Sequence, residues 1–387
     1  MVSLSIAIPT KDRYDTLFPV LRALLKYIVG MDYEIIVQDN TLINDIALEK
    51  IQEINDEKIN YYHSSDSLSV SENSDLAISH CTGKYLTFIG DDDLISPYIL
   101  EIIKKVDTES LDCLIYEKGN YFWDFLKMDK EYAFHYPASL SYSKELSVEI
   151  KKLSVKKELQ FTLDAGGDSN YHLPSLYHGI VKKEVMKKVK EKFGSFVPGS
   201  CPDIAISTAL SCVVQEYGFM CYPVTIAGAS NKSAAGMGVR NAHIARIEDV
   251  PWLPKDIINK WNPKIPRIWT GMTIYAQNIH EVFMQAGINT EINYNRLYSN
   301  MYIKEPQTKK IVLPFIISFQ KNLFAKGLSI LTNSVKAISF NLLYSLPSCA
   351  INARYFLKGD FKRKVQHKNV KTVDDCMLHL TIFTNVF

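Results

Sequence analysis

Short apolar runs alternate with amphipathic stretches along the first hundred residues of this 387-residue chain. Runs at 4–9, 33–37, 59–62 and 85–89 have the length and composition of buried strands. Between them lie stretches such as 14–27, where apolar residues recur at helical spacing. Alternation of strands and helices is typical of βαβ units, which build a parallel sheet flanked by helices. The sequence therefore predicts an α/β fold with a mostly parallel sheet.

Polar clusters follow three of the predicted strands, and they contain Thr10, Asp39 and the consecutive aspartates Asp91, Asp92 and Asp93. Because the carboxyl ends of parallel strands meet at one edge of a sheet, we expect these clusters to lie together there. Three adjacent carboxylates repel each other unless a cation lies among them, and oxygen ligands suit Mg²⁺ or Mn²⁺. The alternative is a solvated acidic turn in which Asp93 caps a helix that begins near residue 97.

Four motifs in this region resemble those of the family 2 glycosyltransferases of the GT-A (Rossmann-like) fold, in the same order and at similar spacing. They are segments 6–13 and 34–41, Asn73 within a predicted helix, and segment 83–93 followed by Pro97. The resemblance implies a nucleotide-sugar donor, with a UDP-sugar favoured, and a divalent cofactor, Mn²⁺ or Mg²⁺. Two positions depart from the family pattern. Gln38 replaces one acid after the second strand, and Glu72 stands where an arginine is common.

The resemblance also implies roles for individual residues. The nucleotide-sugar would be bound by Pro9, Thr10, Arg13, Asp39, Asn73, Asp91 and Arg240. Asp92 would bind the metal, with Asp93 as an alternative ligand or a helix cap. Asp203, at the start of a predicted helix, would be the general base of an inverting transfer. Taken alone, an aspartate after Pro202 is the ordinary pattern of a helix-capping residue.

Two further segments near the predicted base have their own interpretations. His178, a lone histidine in a predicted strand, is interpreted as a packing residue rather than a base. Small residues dominate 228–238, and we expect this stretch to form a mobile lid without regular structure. Arg240 and His243 follow it and are candidate contacts of the donor's phosphates.

From residue 251 onward the alternation of strand and helix stops, and helices are predicted at 270–286, 294–301 and 322–346. Residues 304–371 carry 11 lysines and 2 arginines against 2 acids. A basic amphipathic helix can lie on an anionic membrane surface, or it can pack against the catalytic domain or a second subunit. We therefore predict a GT-A catalytic domain at 1–250 and a helical region at 251–387 that associates with membrane or forms a homo-oligomer.

Composition limits the location and the partners of the chain. Its seven cysteines are scattered without CxxC spacing, which indicates reduced thiols and a cytoplasmic protein, peripheral on the inner face of the cell membrane if the basic helix binds lipid. No secretory signal and no apolar run of membrane-spanning length is visible. The sequence contains no nucleic-acid recognition motif, so nucleic acid is not an expected partner.

Together these features predict a metal-dependent, inverting glycosyltransferase. It would move a sugar from a nucleotide-diphosphate donor to a hydroxyl of a glycan or lipid-linked acceptor, as in the synthesis of capsule or O-antigen polysaccharide. Two alternatives remain at this point. A nucleotidyltransferase of the same fold would need a glycine-rich basic loop after the first strand, which the segment 9–12 does not provide. A non-catalytic scaffold subunit would not need the aspartates.

Overall fold

The computed structural model describes residues 2–30, 32–128, 136–239, 244–319 and 364–381. In chain order the strands are β1 (Leu4–Thr10), β2 (Tyr33–Asp39), β3 (Ile59–His63), β4 (Tyr85–Phe88), β5 (Leu94–Ile95), β6 (Cys113–Tyr116), β7 (Gly119–Phe122), β8 (Ser139–Ser143), β9 (Ser147–Leu153), β10 (Gly179–Lys182), β11 (Tyr217–Cys221), β12 (Thr225–Ala229) and β13 (Lys364–Lys368).

The helices of these ranges are α1 (Tyr14–Tyr27), α2 (Asp45–Ile54), α3 (Val70–Ser79), α4 (Ile99–Thr108), α5 (Val155–Asp164), α6 (Lys183–Phe193), α7 (Pro202–Leu210), α8 (Ala234–Val239), α9 (Ile257–Lys260), α10 (Gly271–Gln285), α11 (Tyr294–Lys304), α12 (Lys309–Phe319) and α13 (Val373–Thr381). The predicted alternation of strand and helix over the first hundred residues is confirmed. Two short 3₁₀ turns also lie in the second half of the described chain.

An eight-stranded sheet forms the centre, in the order β3-β2-β1-β4-β10-β6-β11-β9. The first four of these strands are parallel to one another, and β6 is parallel to β11, whereas β10 and β9 run antiparallel to their neighbours. Alternate residues of β1 enter the cores on opposite faces: Ile6 and Ile8 lie on one side and Ala7 on the other. Burial on both faces is typical of a parallel sheet covered by helices, which confirms the predicted fold class.

A second sheet of five strands, in the order β13-β8-β7-β12-β5, lies next to the aspartate cluster. β5 begins directly after Asp93, and Leu94 and Ile95 pair with Ile226 and Thr225 of β12. This pairing corrects one expectation: α4 begins at Ile99 and has no side-chain cap, so Asp93 does not cap it.

Tertiary contacts decide the structure of two other segments. The charged stretch 144–157 contains β9, an edge strand whose exposed residues include Glu149, Lys151 and Lys152. The stretch 228–238, expected to lack regular structure, completes β12 and enters helix α8.

The C-terminal region packs against the N-terminal part of the chain. Ile279 of α10 and Leu297 of α11 share a core with Ile204 of α7. The region is not entirely helical, since β13 pairs antiparallel with β8, and α13 buries Met377 and Leu380 in the core of the first sheet. The predicted helix at 322–346 and the basic residues at 354–363 lie outside the described residues. Among the helices that are described, none has the length and apolarity needed to cross a membrane.

The packing of α13 makes a prediction about stability. Leu380 is fully buried, whereas Leu378 on the same helix is 55% exposed. Leu380→Ala should lower the free energy of unfolding by about 2–5 kcal/mol, since it leaves a cavity in the shared core. Leu378→Ala should change it by less than about 0.5 kcal/mol. Urea unfolding of both variants measures the difference, and equal effects would show that α13 is not part of the folded core.

Candidate functional site

The loop between β1 and α1 contacts the aspartate cluster directly. The hydroxyl of Thr10 donates a hydrogen bond of 2.6 Å to Oδ2 of Asp91. The guanidinium of Arg13 forms ion pairs with Oδ1 of Asp91, at 2.8 Å, and with Oδ1 of Asp92, at 2.9 Å. Thr10 also lies opposite Asp39 in the register of β1 and β2. The polar ends of the three predicted strands therefore lie at one edge of the sheet, as expected.

Burial controls the electrostatics of this cluster. Desolvation raises the pKa of Asp91 to about 7, and the opposing charge of Arg13 limits that rise. Desolvation also raises the pKa of Asp92, again against the effect of Arg13. Burial alone would lower the pKa of Arg13, but the charges of Asp91 and Asp92 outweigh it and raise that pKa. Arg13 therefore stays charged and is the principal counter-ion of the two carboxylates.

Asp93 has a different environment from its two neighbours. Its carboxylate accepts hydrogen bonds from the backbone N–H groups of Gly90, at 2.7 Å, and Gly228, at 2.6 Å. The Tyr177 hydroxyl donates a third, at 3.1 Å, and Nε2 of His178 lies 3.4 Å away. Burial lowers the pKa of His178 well below its usual value, so the imidazole is neutral. Both oxygens of Asp93 are thus engaged by the protein, which favours a role in holding the loop.

The strand β12 and Trp123 fix the backbone of the aspartate loop. The indole N–H of Trp123 donates to the carbonyl of Asp92 at 3.0 Å, and the backbone N–H of Ser230 donates to Oδ2 of Asp92 at 3.2 Å. A Cβ atom on Gly228 would lie 1.8 Å from that same carbonyl oxygen. Only glycine allows β12 to approach Asp92 this closely.

The predicted nucleotide pocket adjoins this cluster. Asp39 is fully buried, and its Oδ2 accepts hydrogen bonds from the hydroxyls of Tyr14, at 2.6 Å, and Tyr61, at 2.8 Å. The side-chain amide of Asn73 donates to the carbonyl of Thr10, at 3.2 Å, and its Oδ1 is buried without a hydrogen-bond partner in the described residues. Pro9 lies in β1 beside Gln38 of β2. Arg240 and His243 lie outside the described residues.

Asp203 is the second residue of α7 and is partly exposed. It makes no side-chain capping bond, and its Oδ2 accepts a hydrogen bond of 3.2 Å from the Tyr275 hydroxyl of α10. Desolvation raises the pKa of Asp203, and the charge of Lys118 opposes the rise. The charge of Asp93 also raises this pKa, in the same direction as burial.

Three functional candidates escaped the sequence analysis. Tyr177 contacts Asp93, and the charge of Asp203 contributes to the raised pKa of Tyr177. Tyr275 contacts Asp203. The charge of Lys118 acts to lower the pKa of both Asp93 and Asp203. Lys118 is an exposed residue in the connection between β6 and β7. No local pattern marks these residues, because each reaches the site through pairing or packing with distant parts of the chain.

The oxygen ligands at the cluster fit a divalent ion only in part. No group of three or more acidic, histidine or cysteine side chains that could hold a metal occurs within the described ranges. Asp91 and Asp92 each direct one carboxylate oxygen at the Arg13 guanidinium, so a cation in that place would face two hard oxygen ligands. Mg²⁺ commonly uses one or two carboxylates and takes its other ligands from substrate phosphates and water. The pair fits that kind of site.

The close approach of β12 to Asp92 gives a second stability prediction. Gly228→Ala should lower the free energy of unfolding by about 1–3 kcal/mol, since the added methyl group meets backbone rather than a side chain that can move. Gly238→Ala is the matched control, because a Cβ there meets no atom within 4 Å. Its stability should stay the same or rise by about 0.5–1 kcal/mol. Equal unfolding midpoints would contradict the close approach.

Comparison with known proteins identifies the N-terminal part. Residues 5–163 match the sequence description of glycosyl transferase family 2. No curated protein matches the chain. Similar solved structures include S. aureus TarS 1–349 with UDP-GlcNAc, at 12% identity over 98% of this chain and 92% of that chain, with a TM-score of 0.48. The TarS 1–349 complex with UDP has 12% identity over 93% and 88%, with a TM-score of 0.44.

The family match covers β1 to α5 and includes Thr10, Arg13, Asp39 and the aspartates Asp91 to Asp93. These residues lie together at the edge of an α/β sheet. Residues 5–163 therefore carry the sequence features of glycosyl transferase family 2, and the chain is a glycosyltransferase.

Proposed function

We propose that this glycosyltransferase is metal-dependent and inverting, and that it uses a nucleotide-diphosphate sugar, with a UDP-sugar favoured. The contact of Thr10 and Arg13 with Asp91 and Asp92, at the edge where Asp39 also lies, supports this proposal most strongly. The acceptor is a hydroxyl of a glycan or lipid-linked glycan, as in surface-polysaccharide synthesis.

The donor would lie along the edge of the sheet, with its nucleoside toward β2 and its phosphates toward the aspartates. Asn73 supports this orientation, since its buried Oδ1 is an acceptor without a partner in the described residues and could bind a ribose hydroxyl. Asp92, with Asp91 beside it, would hold the divalent ion. When bound, such an ion neutralises the negative charge of the nucleoside diphosphate leaving group. Asp93 is a less suitable ligand, because the protein engages both of its oxygens.

Asp203 is the proposed general base. It would accept the proton of the acceptor hydroxyl while that oxygen bonds to the anomeric carbon, and the bond from this carbon to the diphosphate oxygen would break. A single displacement of this kind inverts the anomeric configuration. The raised pKa of Asp203 suits the task, since a more basic carboxylate accepts a proton more readily. The hydroxyl of Tyr275 orients the carboxylate through Oδ2.

Asp203→Asn tests the proposed base. It should lower kcat about 10²–10⁴-fold, because the amide cannot accept the proton, and leave the KM for the donor unchanged. Transfer from UDP-sugars to a glycan acceptor with Mn²⁺, followed by product analysis, measures the effect and the anomeric configuration. Asp164→Asn is the matched control, since Asp164 is a surface acid that contacts Gln160 of its own helix. Full activity of Asp203→Asn, or a retained configuration, would contradict the proposal.

Lys118 gives a prediction about pH dependence. Protonation of Asp203 removes the base, so activity should fall as the pH drops through a pKa above the usual range of aspartate. Lys118 lowers that pKa, and Lys118→Met should therefore move the acidic limb of the kcat/KM profile to higher pH. Lys104→Met, an exposed residue of α4, should leave the limb in place. A shift in the opposite direction would show that Lys118 does not act on the base.

A further inference from the structure

The guanidinium of Arg13 lies where the proposed metal would have to bind. It is within 2.9 Å of one oxygen from each of Asp91 and Asp92, and the side chains of these acids are 1% and 4% exposed. Two buried carboxylates with one cation between them are a compensated group, whereas the same pair without a cation would be strongly destabilised. A second cation in the same position would meet the positive charge of Arg13.

The charge of Arg13 is well paired in this position, but not all of its hydrogen-bonding groups have partners. Its Nε is buried without an acceptor in the described part of the chain. Oδ1 of Asp91 lies 2.8 Å from the guanidinium, yet the geometry at this oxygen does not meet the requirements of a hydrogen bond. An ion pair with unsatisfied donors and acceptors is weaker than a bidentate pair, so another cation can displace it at lower cost.

The side chain of Arg13 also has a route out of the cluster. It is 19% exposed, unlike the acids that it contacts, and its Nη2–H donates a hydrogen bond of 3.1 Å to the hydroxyl of Ser230. Ser230 lies just after β12, and its backbone N–H binds Asp92. Arg13 therefore connects the loop after β1 to the loop after β12, at the opening of the site.

We propose that Arg13 and the divalent metal ion compete for the same two carboxylates, Asp91 and Asp92. Arg13 neutralises the pair in the metal-free protein, and metal binding moves its guanidinium toward the exposed side of the site. In that position it faces the phosphates of an incoming nucleotide-sugar and can bind them as a bidentate donor. This inference rests on the proposed metal-dependent function, although its test requires neither donor nor acceptor.

Mn²⁺ binding to the full chain, without sugar nucleotide, tests the competition. Electron paramagnetic resonance measures free Mn²⁺ in the presence of the wild type, Arg13→Gln and Arg13→Lys. We expect Arg13→Gln to bind Mn²⁺ about tenfold more tightly, since one adjacent arginine changes the proton affinity of a carboxylate by about tenfold or more. Arg13→Lys should be intermediate, because an ammonium keeps the charge without the planar fork. Arg22→Gln, a change at an exposed arginine of α1, should match the wild type.

Two additional measurements locate the effect. Adding Asp92→Asn to Arg13→Gln should abolish the gain in Mn²⁺ affinity, because the ion then loses a carboxylate of the pair. Mn²⁺ should raise the unfolding midpoint of Arg13→Gln more than that of the wild type, since a tighter ligand of the folded state stabilises it more. The same comparison with Arg13→Lys serves if Arg13→Gln does not fold.

Several results would overturn the competition. Equal or weaker Mn²⁺ binding by Arg13→Gln would show that Arg13 does not exclude the metal. Absence of Mn²⁺ binding by every variant would show that the pair is not a metal site. These outcomes are independent of glycosyl transfer. Inactivity toward all donors would reject the proposed function, but a measured competition between Arg13 and Mn²⁺ would still stand. Transfer without metal would reject the proposed metal dependence, but it would not rescue a competition that the Mn²⁺ measurements had rejected.

Discussion

The fold brings three consecutive carboxylates into a buried edge of the sheet, and each of them must be compensated there. Arg13 compensates Asp91 and Asp92 by charge. Backbone N–H groups and the Tyr177 hydroxyl compensate Asp93. Isolated buried charges are strongly unfavourable, so the loop can exist only where these partners converge. The constraint links the loop after β1, the aspartate loop and β12, which are far apart in the sequence.

The two kinds of compensation have different consequences. Hydrogen bonds from the backbone cannot leave without moving β12, which makes Asp93 a fixed part of the architecture. The side chain of Arg13 is partly exposed and can leave, so the cation that faces Asp91 and Asp92 can be exchanged for another. Three adjacent residues of one type thus have two physical roles, and the difference comes from what faces each carboxylate.

Local hydrophobic patterns in the sequence were sufficient to predict several of the helices and strands. Helix α1 has the predicted limits, because its buried leucines recur regularly, and β1, β2 and β4 follow from their apolar runs. The polar residues at the ends of these strands were also sufficient to predict that Thr10, Asp39 and the aspartates lie together. The family resemblance added Arg13 and Asp203, whose roles composition alone could not provide.

The rest depended on pairing between distant segments. β5 forms because Leu94 and Ile95 pair with β12, and this contact is invisible in the sequence around the aspartates. β9 is an edge strand whose charged positions conceal its alternation. Lys118 and Tyr275 act on Asp203 from β6–β7 and from α10, without a motif of their own. The ion pairs of Arg13 with Asp91 and Asp92 likewise could not be predicted from the sequence.

The order of strands in the sheet has a consequence for how the enzyme is made. β10, at Gly179–Lys182, lies between β4 and β6 in the centre of the first sheet, and β12 closes the aspartate loop from residues 225–229. Both strands follow the family domain that ends at residue 163. During synthesis, the ribosome must therefore release more than two hundred residues before the carboxylates have all their partners. The boundary of the family domain is a boundary of sequence similarity, and the unit of folding extends beyond it.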